Sequence, residues 1–351
     1  MKAIVVRAPG GTDVLKMETV ADPVAGRKDV VIKVDACGVC FHDIVTRNGT
    51  LKAGVQMPCI LGHEISGIVV DTGRDVRGFR PGDRVATVQR YHICGACRHC
   101  RMGRETLCPD RKFTGDAGLV GGYAEYVAIE DDNVALVPEG VALQDAAIVA
   151  CAVGTILNAM REVGRLAAGE SALVTGSGGG LGMHAVQLAR LAGAFVIAQT
   201  TSPGKAEQIR ALGAHEVIVH ARGEDFSGAV RAAVRRATGG AGVDVAIDNV
   251  GSQLFDSVRR SMGIGGRWIL IGQLTGQFVP FNPAQLFLKN VSMLSATSTT
   301  RRQLEDCLAL VARGAVKPIV SLALPLEEAA QAHALMEAGK AAGRIVLRPN
   351  G

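Results

Sequence analysis

Between Ser171 and Gly182 the sequence reads SALVTGSGGGLG, an apolar strand running into glycines and then straight into an amphipathic helix, MHAVQLARLAGA. Glycines let the chain turn sharply and let backbone N–H groups come close to a pyrophosphate, while the N-terminus of the following helix adds partial positive charge. Gly176, Ser177, Gly178, Gly179, Gly180, Leu181 and Gly182 are therefore the candidate phosphate cradle. Taken by itself, a glycine run is also what a tight strand-to-helix turn needs. The next stretch of chain favours the nucleotide: AFVIAQT, a helix, EVIVH, a second helix, VDVAIDNV, a third helix and GRWILIG. These are βα units of the length that a doubly wound parallel sheet requires. The fold class is α/β with a Rossmann nucleotide domain, and Asn249, Val250, Ile271 and Gly272, at the ends of later strands, join the candidate cofactor contacts.

At 351 residues the chain has room for two domains with separate cores, and 48% hydrophobic with 20% charged residues is ordinary for a globular protein. The formal charge of +5 is small and spread along the chain, aromatics make up 4%, and no basic run is interleaved with them, so nothing points to a nucleic-acid partner. Met1 leads directly into the strand-like KAIVVRA, and no uninterrupted apolar run reaches the length of a membrane span. The expectation is a cytoplasmic protein with a small-molecule substrate and no membrane partner. Nine cysteines in such a chain read as thiolates on metal rather than as disulfides.

From the N-terminus, KAIVVRA, DVVIKVDACG, EISGIVVDTG and RPGDRVAT are short β segments bounded by Gly, Pro or Asp. Strand–helix alternation begins only near Gln144 and continues to about Thr297, before two helical stretches and a last strand, GRIVLRP. This order predicts an inserted nucleotide domain. Residues 1–150 begin a mostly β catalytic domain carrying the loop 91–110, 151–290 form the dinucleotide-binding domain, and 291–351 supply an edge strand and the return. The cleft between the domains is the expected site.

Cys94, Cys97, Cys100 and Cys108 are spaced C-x2-C-x2-C-x7-C. Four thiolates so close, with no open position, suit a closed tetrahedral zinc site that staples a loop lacking a core. An iron–sulfur cluster is the rival, but the ferredoxin run has about three residues before its last cysteine, where this one has seven. A second set is scattered: Cys40 in CGVCFHD, His63 in LGHEISG and Cys151 in VACAVGT. A catalytic zinc wants three protein ligands and one exchangeable position. Spacing leaves this open, because Cys151 reads equally as a core residue of an apolar helix and His63 as a hydrogen-bonded histidine.

At these residues the chain resembles the zinc-containing alcohol dehydrogenases of the medium-chain dehydrogenase/reductase superfamily, over essentially its whole length. The family's zinc signature is met by Gly62-His63-Glu64, Gly67, Gly73 and Val76, and the four-cysteine loop falls where the family has its structural zinc. The resemblance implies a GroES-like catalytic domain and two zinc ions per subunit, the catalytic one held by Cys40, His63 and Cys151. It implies Glu64 as a neighbour or alternate ligand, and Asp43 as acceptor of the other ring N–H of His63. Thr155 and Arg344 stand at cofactor-contacting positions, expected on the nicotinamide half and on the pyrophosphate. The apolar segment VSMLSAT, 291–297, would pair with its copy in a second subunit, giving a homodimer or homotetramer.

One stretch departs from the family pattern. After the ligand cysteine the family has any residue, Ser or Thr, then Asp, and the hydroxyl passes the alcohol proton towards a histidine three residues on. Here the run is Cys40-Phe41-His42-Asp43, with Val45 at the histidine's place. His42 is a candidate catalytic residue, as a direct acid or base, as a group orienting a substrate carbonyl, or as a side chain hydrogen-bonded in place. Related acyl-CoA reductases of the superfamily also lack the hydroxyl. In NAD-specific members an acidic residue ends the second strand of the nucleotide domain. Here that strand ends AQTTSPGK, where Gln199, Thr200, Thr201 and Ser202 are uncharged donors and Lys205 adds a positive charge, favouring NADP(H) over NAD(H).

The reading is a zinc-dependent oxidoreductase moving a hydride between NADP(H) and an alcohol, aldehyde or ketone. An NADPH-dependent enoyl-thioester reductase of acryloyl-CoA type is the alternative, and the complete ligand set disfavours a non-catalytic nucleotide-binding protein. Substrate-lining positions are expected around Phe41, Leu51, Tyr91, His92, Leu274 and Phe278.

Overall fold

The alternating run DVVIKVDACGV forms an eleven-residue strand, Asp29–Val39, on which the catalytic unit is organised. One edge pairs antiparallel with Glu64–Thr72. The other is shared by Tyr126–Glu130 and by the last strand, Arg344–Arg348, which lies against Cys37–Val39. A four-stranded sheet of Lys16–Thr19, Lys2–Val6, Gln56–Ile60 and Ala117–Gly118 completes the β framework. Ile4, Ile32, Val34, Ile60, Leu61, Ile65, Tyr123, Ile345 and Leu347 form its core, so the inward residues of alternating strands meet as their period-two pattern demands.

This computed structural model describes residues 1–221 and 223–350. It divides into one unit of Met1–Gly154 with the segment from Ser298 onward, and a second of Thr155–Thr297. Among the described residues the second unit holds six parallel strands: Ser171–Val174, Phe195–Thr200, Glu216–Val219, Val243–Asp248, Met262–Leu270 and Ser292–Ser295. Numbered in that sequence they lie in the order 3-2-1-4-5-6 of a dinucleotide-binding sheet. Leu173, Ile197, Val230, Val234, Ala246, Val258 and Trp268 fill its core.

Two boundaries move from their expected places. The chain passes between units at Gly154 and Thr297 rather than at 150 and 290. Ser292–Ser295 pairs in parallel with the strand before it, so the segment 291–297 is the edge strand at the end of the nucleotide sheet, as the sequence reading had it. The helical run Leu143–Val163 is long and apolar enough to cross a membrane by length and composition, although Asp145, Asn158 and Arg161 interrupt its apolar residues. Its apolar stretch is 72% buried within the protein, as a core helix is.

Candidate active site

Cys40 stands at the start of the helix Phe41–Arg47, and its backbone N–H donates to Asp43 Oδ2 at 2.8 Å, a cap that holds both residues at one helix end. Asp43 Oδ1 also accepts from the Gly62 N–H at 3.2 Å, drawing in the Leu61–Glu64 corner. Gly62 has φ of +96°, and a Cβ there would press on Tyr123 and on Cys37 Sγ, so backbone and space both demand glycine. Glu64 lies opposite Gly38, where a side chain would overlap its carboxylate. Cys151 comes from Val149–Gly154, a π-helical turn set in the helix that the sequence predicted.

These elements bring ligand atoms of Cys40, His63, Glu64 and Cys151 within 4.8 Å of one another, all buried. The two Sγ atoms are 3.9 Å apart, close to the roughly 3.8 Å that two thiolates take on a tetrahedral zinc. Both Glu64 oxygens and His63 Nδ1 are buried without a hydrogen-bond partner. Nδ1 lies 3.2 Å from Asp43 Oδ1 but out of line for a hydrogen bond. Two thiols, an imidazole and a carboxylate converging in one buried place are the donor types that zinc takes, so the residues present fit zinc.

The electrostatics of the cluster agree. A hydrogen bond with Cys151, then the Arg344 guanidinium, hold the Cys40 thiol well below its ordinary range against the effect of burial. Burial pushes Glu64 up to about 7 although Arg344 draws it down. Arg344, expected at the cofactor, also lies against this cluster: its Nη2 is 2.8 Å from Glu64 Oε1, 3.5 Å from Cys151 Sγ and 3.6 Å from Cys40 Sγ. The register of the last strand against Cys37–Val39, directly before Cys40, puts it there.

His42 Nε2 is 2.7 Å from Asp116 Oδ1, which also accepts from Thr46 Oγ1 at 3.3 Å. The ring lies 4.7 Å from that of Phe113 and edge-on to His63 at 5.2 Å. Nothing in KFTGDAG marks Asp116 as a partner, and the sequence reading missed it. Tyr91 and His92 do not join the cluster. They line a separate hollow with Met1, Pro23 and Glu130, and His92 Nδ1 is 2.8 Å from the Glu130 carboxylate.

Cys94, Cys97, Cys100 and Cys108 also lie with their sulfurs within 4.8 Å of one another. The backbone N–H groups of Cys97 and Cys100 donate to the sulfurs of Cys94 and Cys97 at 3.3 and 3.5 Å. Such N–H donors favour the thiolate; those of Ala96 and Cys97 hold the Cys94 thiol down to about 7.

In the nucleotide unit the cradle is built as the glycines imply. Gly176, at φ +59°, turns the chain out of the first strand, and its N–H donates to Gln199 Oε1 at 2.9 Å. The helix begins at Gly180, earlier than the apolar pattern showed, so Gly180, Leu181 and Gly182 form its first turn, whose N–H groups have no acceptor within the helix. Thr155 is buried at the head of this unit. Asp248 accepts from Thr175 Oγ1, from the N–H groups of Val250 and Gly251, and from Trp268 Nε1, tying the strand ends around Asn249 and Val250. Ile271 and Gly272 both donate to the Asp248 carbonyl. Thr200 Oγ1 accepts from the Ser202 N–H, Thr201 is exposed, and the Lys205 side chain lies across Gly178, its Nζ 3.4 Å from that carbonyl. Sequence reasoning missed Asp248 and Trp268 as organisers, because each reads as an ordinary strand residue, and it read Gln199 as a donor at the strand end, not as the acceptor that holds Gly176.

Two family models match this chain: Alcohol dehydrogenase GroES-like domain over residues 26–139 and Zinc-binding dehydrogenase over 212–347. An acryloyl-coenzyme A reductase of Sulfurisphaera tokodaii is 32% identical over 350 residues, covering 99% of this chain and 100% of that protein. Among solved structures, AibC is 44% identical with a TM-score of 0.91, covering 100% of this chain and 96% of its own. An NAD-dependent alcohol dehydrogenase is 33% identical with a TM-score of 0.92 and 99% of each chain covered. Signature, architecture and relatives agree, and the chain belongs to the zinc-containing alcohol dehydrogenase family of the medium-chain dehydrogenase/reductase superfamily.

Proposed function

We propose that this family member reduces the activated C=C bond of a 2-enoyl thioester with NADPH and a zinc ion held by Cys40, His63 and Cys151. The observation that carries the reading is the rebuilt proton path. His42 replaces the family hydroxyl, its Nε2 is committed to Asp116, and Val45 stands where the relay histidine would be. Reduction of C=C adds a hydride to the carbon β to the carbonyl and a proton to the α carbon, so no proton need travel to or from the substrate oxygen. Zinc supplies Lewis-acid polarisation of a substrate carbonyl, and the reduced nicotinamide supplies the hydride. The chain's own residues hold and shield: Glu64 and Arg344 balance charge beside the two thiols, and His42, braced by Asp116 and Phe113, forms a polar wall. The full-length likeness to an acryloyl-coenzyme A reductase supports the same substrate class.

Alcohol–carbonyl exchange is the second reading, favoured by the same pair in another light. With Nε2 on a carboxylate, Nδ1 is the ring atom left to accept a substrate proton. NADP(H) is the proposed cofactor because the strand Phe195–Thr200 ends without a carboxylate and Lys205 lies beside Gly178. The deciding experiment follows NADPH and NADH oxidation with acryloyl-CoA, longer 2-enoyl thioesters, aldehydes and ketones. Turnover of the thioesters with NADPH supports the proposal; turnover of aldehydes or ketones without the thioesters replaces it by the second reading.

A homo-oligomer is proposed as well. Ser292–Ser295 is the last strand of its sheet, and Ile264, Phe278, Phe287 and Leu288 of the same unit are 84%, 100%, 69% and 77% exposed. Large apolar side chains so exposed, in a unit whose sheet ends in an open strand edge, are what a second copy would cover.

A further inference from the structure

A line of buried polar side chains runs away from His63, outside the set of ligand atoms. Asp43 Oδ2 accepts from Tyr123 Oη at 3.4 Å. Tyr123 Oη is 3.0 Å from His333 Nε2, and His333 Nδ1 is 3.2 Å from Arg47 Nη1. Arg47 Nη2 is 2.7 Å from Glu337 Oε1, a partly exposed carboxylate where the line reaches the surface. Tyr123, His333 and Arg47 are almost wholly buried. They come from separate segments: Arg47 from the helix that Cys40 caps, Tyr123 from the loop before Tyr126–Glu130, and His333 with Glu337 from the helix Ala329–Glu337.

The direction of each bond follows from chemistry. A guanidinium has donors and no acceptor, so Arg47 donates and His333 Nδ1 accepts. His333 must then carry its proton on Nε2; burial agrees, pushing its pKa down to about 4 and keeping the ring neutral. Nε2–H donates to the Tyr123 oxygen, and the tyrosine hydroxyl, whose pKa burial and then Asp43 hold well above its ordinary value, donates to Asp43. Because Arg47 cannot pass a proton on, the line has one fixed polarity and is no proton wire. Its far end reaches Asp43, whose other oxygen faces His63 Nδ1 at 3.2 Å.

We infer that His333 and Tyr123 are positioning residues for the catalytic metal: anchored by Arg47, they set the orientation of the Asp43 carboxylate and, through it, of His63. This rests on the reading of Cys40, His63 and Cys151 as zinc ligands and on no choice of substrate. Loss of a direct partner of a metal-ligating histidine commonly costs about 10- to 100-fold in metal affinity; Tyr123 and His333 act further back, through Asp43, so the low end of that range is expected.

The test compares the full-length protein with Tyr123→Phe, His333→Phe and His333→Gln, the last of which keeps one acceptor and one donor. Zinc release to a chelator is timed well below each variant's Tm, and the visible spectrum is recorded after cobalt replaces the labile zinc. Tyr123→Phe and His333→Phe are expected to release the labile zinc about tenfold faster, to keep the cysteine-loop zinc, and to shift the cobalt bands. His333→Gln is expected to recover much of the wild-type retention. Wild-type release and spectrum in both Phe variants would overturn the inference. So would parallel loss of both zincs tracking a lower Tm, which is all that a purely structural role predicts. Wild-type protein that holds zinc only in the cysteine loop would instead remove the metal reading beneath it.

Discussion

His42 is where one residue separates the two chemistries. If its ring accepts the substrate proton in alcohol oxidation, His42→Ala should lower kcat about 10²-fold or more with cofactor KM unchanged, since general-base catalysis acts in the transition state. If the enzyme reduces an enoyl thioester and His42 is a polar wall, the same variant should mainly raise thioester KM and leave kcat within severalfold. Steady-state kinetics on both substrate classes decides. Lys205 carries a second prediction, for the cofactor. Lys205→Ala should raise KM for NADPH about tenfold and leave KM for NADH little changed, because only the former has a 2′-phosphate to lose a cation partner; equal effects on both would return Lys205 to a packing role against Gly178. At this scale the zinc signature was legible because a motif states residue types outright. Asp116 and the destination of Arg344 were not, since each depends on which distant backbone lies alongside.

Among elements, the four-cysteine loop and the buried cluster should behave differently although both hold thiols. The loop offers four sulfurs and no exchangeable position, whereas the cluster offers Cys40, His63 and Cys151 with Glu64 nearby. Two zinc ions per chain are expected, and mild chelation should remove one together with activity while the other stays. A single equivalent in freshly purified active protein, measured by metal analysis, would contradict this. The corner Leu61–Glu64 tests the framework itself. Gly62→Ala must adopt φ of +96°, at about 1–2 kcal/mol, and must also push on Tyr123 and Cys37 Sγ, so its Tm should fall clearly below wild type. The strands and the βα alternation were legible in the apolar periodicities. The π-helical turn that presents Cys151 was not, because one extra residue in a helical turn leaves the apolar pattern of VACAVGT unchanged.

For the whole molecule, the open edge at Ser292–Ser295 and the exposed apolar side chains of the same unit predict a dimer or tetramer, measurable by light scattering at micromolar concentration. Replacing Phe287 and Leu288 together by Lys should shift that equilibrium towards monomer if they lie in the contact, while a wild-type protein that is already monomeric would end the proposal. By itself the sequence determined that the chain has a nucleotide-binding sheet, a four-cysteine metal-type loop and no carboxylate at the end of the sheet's second strand. Each of these is written locally, in a glycine run, a ligand spacing or a strand end. Only the tertiary structure decided that Arg344 lies against the thiol cluster, that Asp116 braces His42, and that Tyr123 and His333 stand behind Asp43. These pairs are separated by many residues along the chain, and strand register and helix placement, not local pattern, bring them within hydrogen-bonding distance.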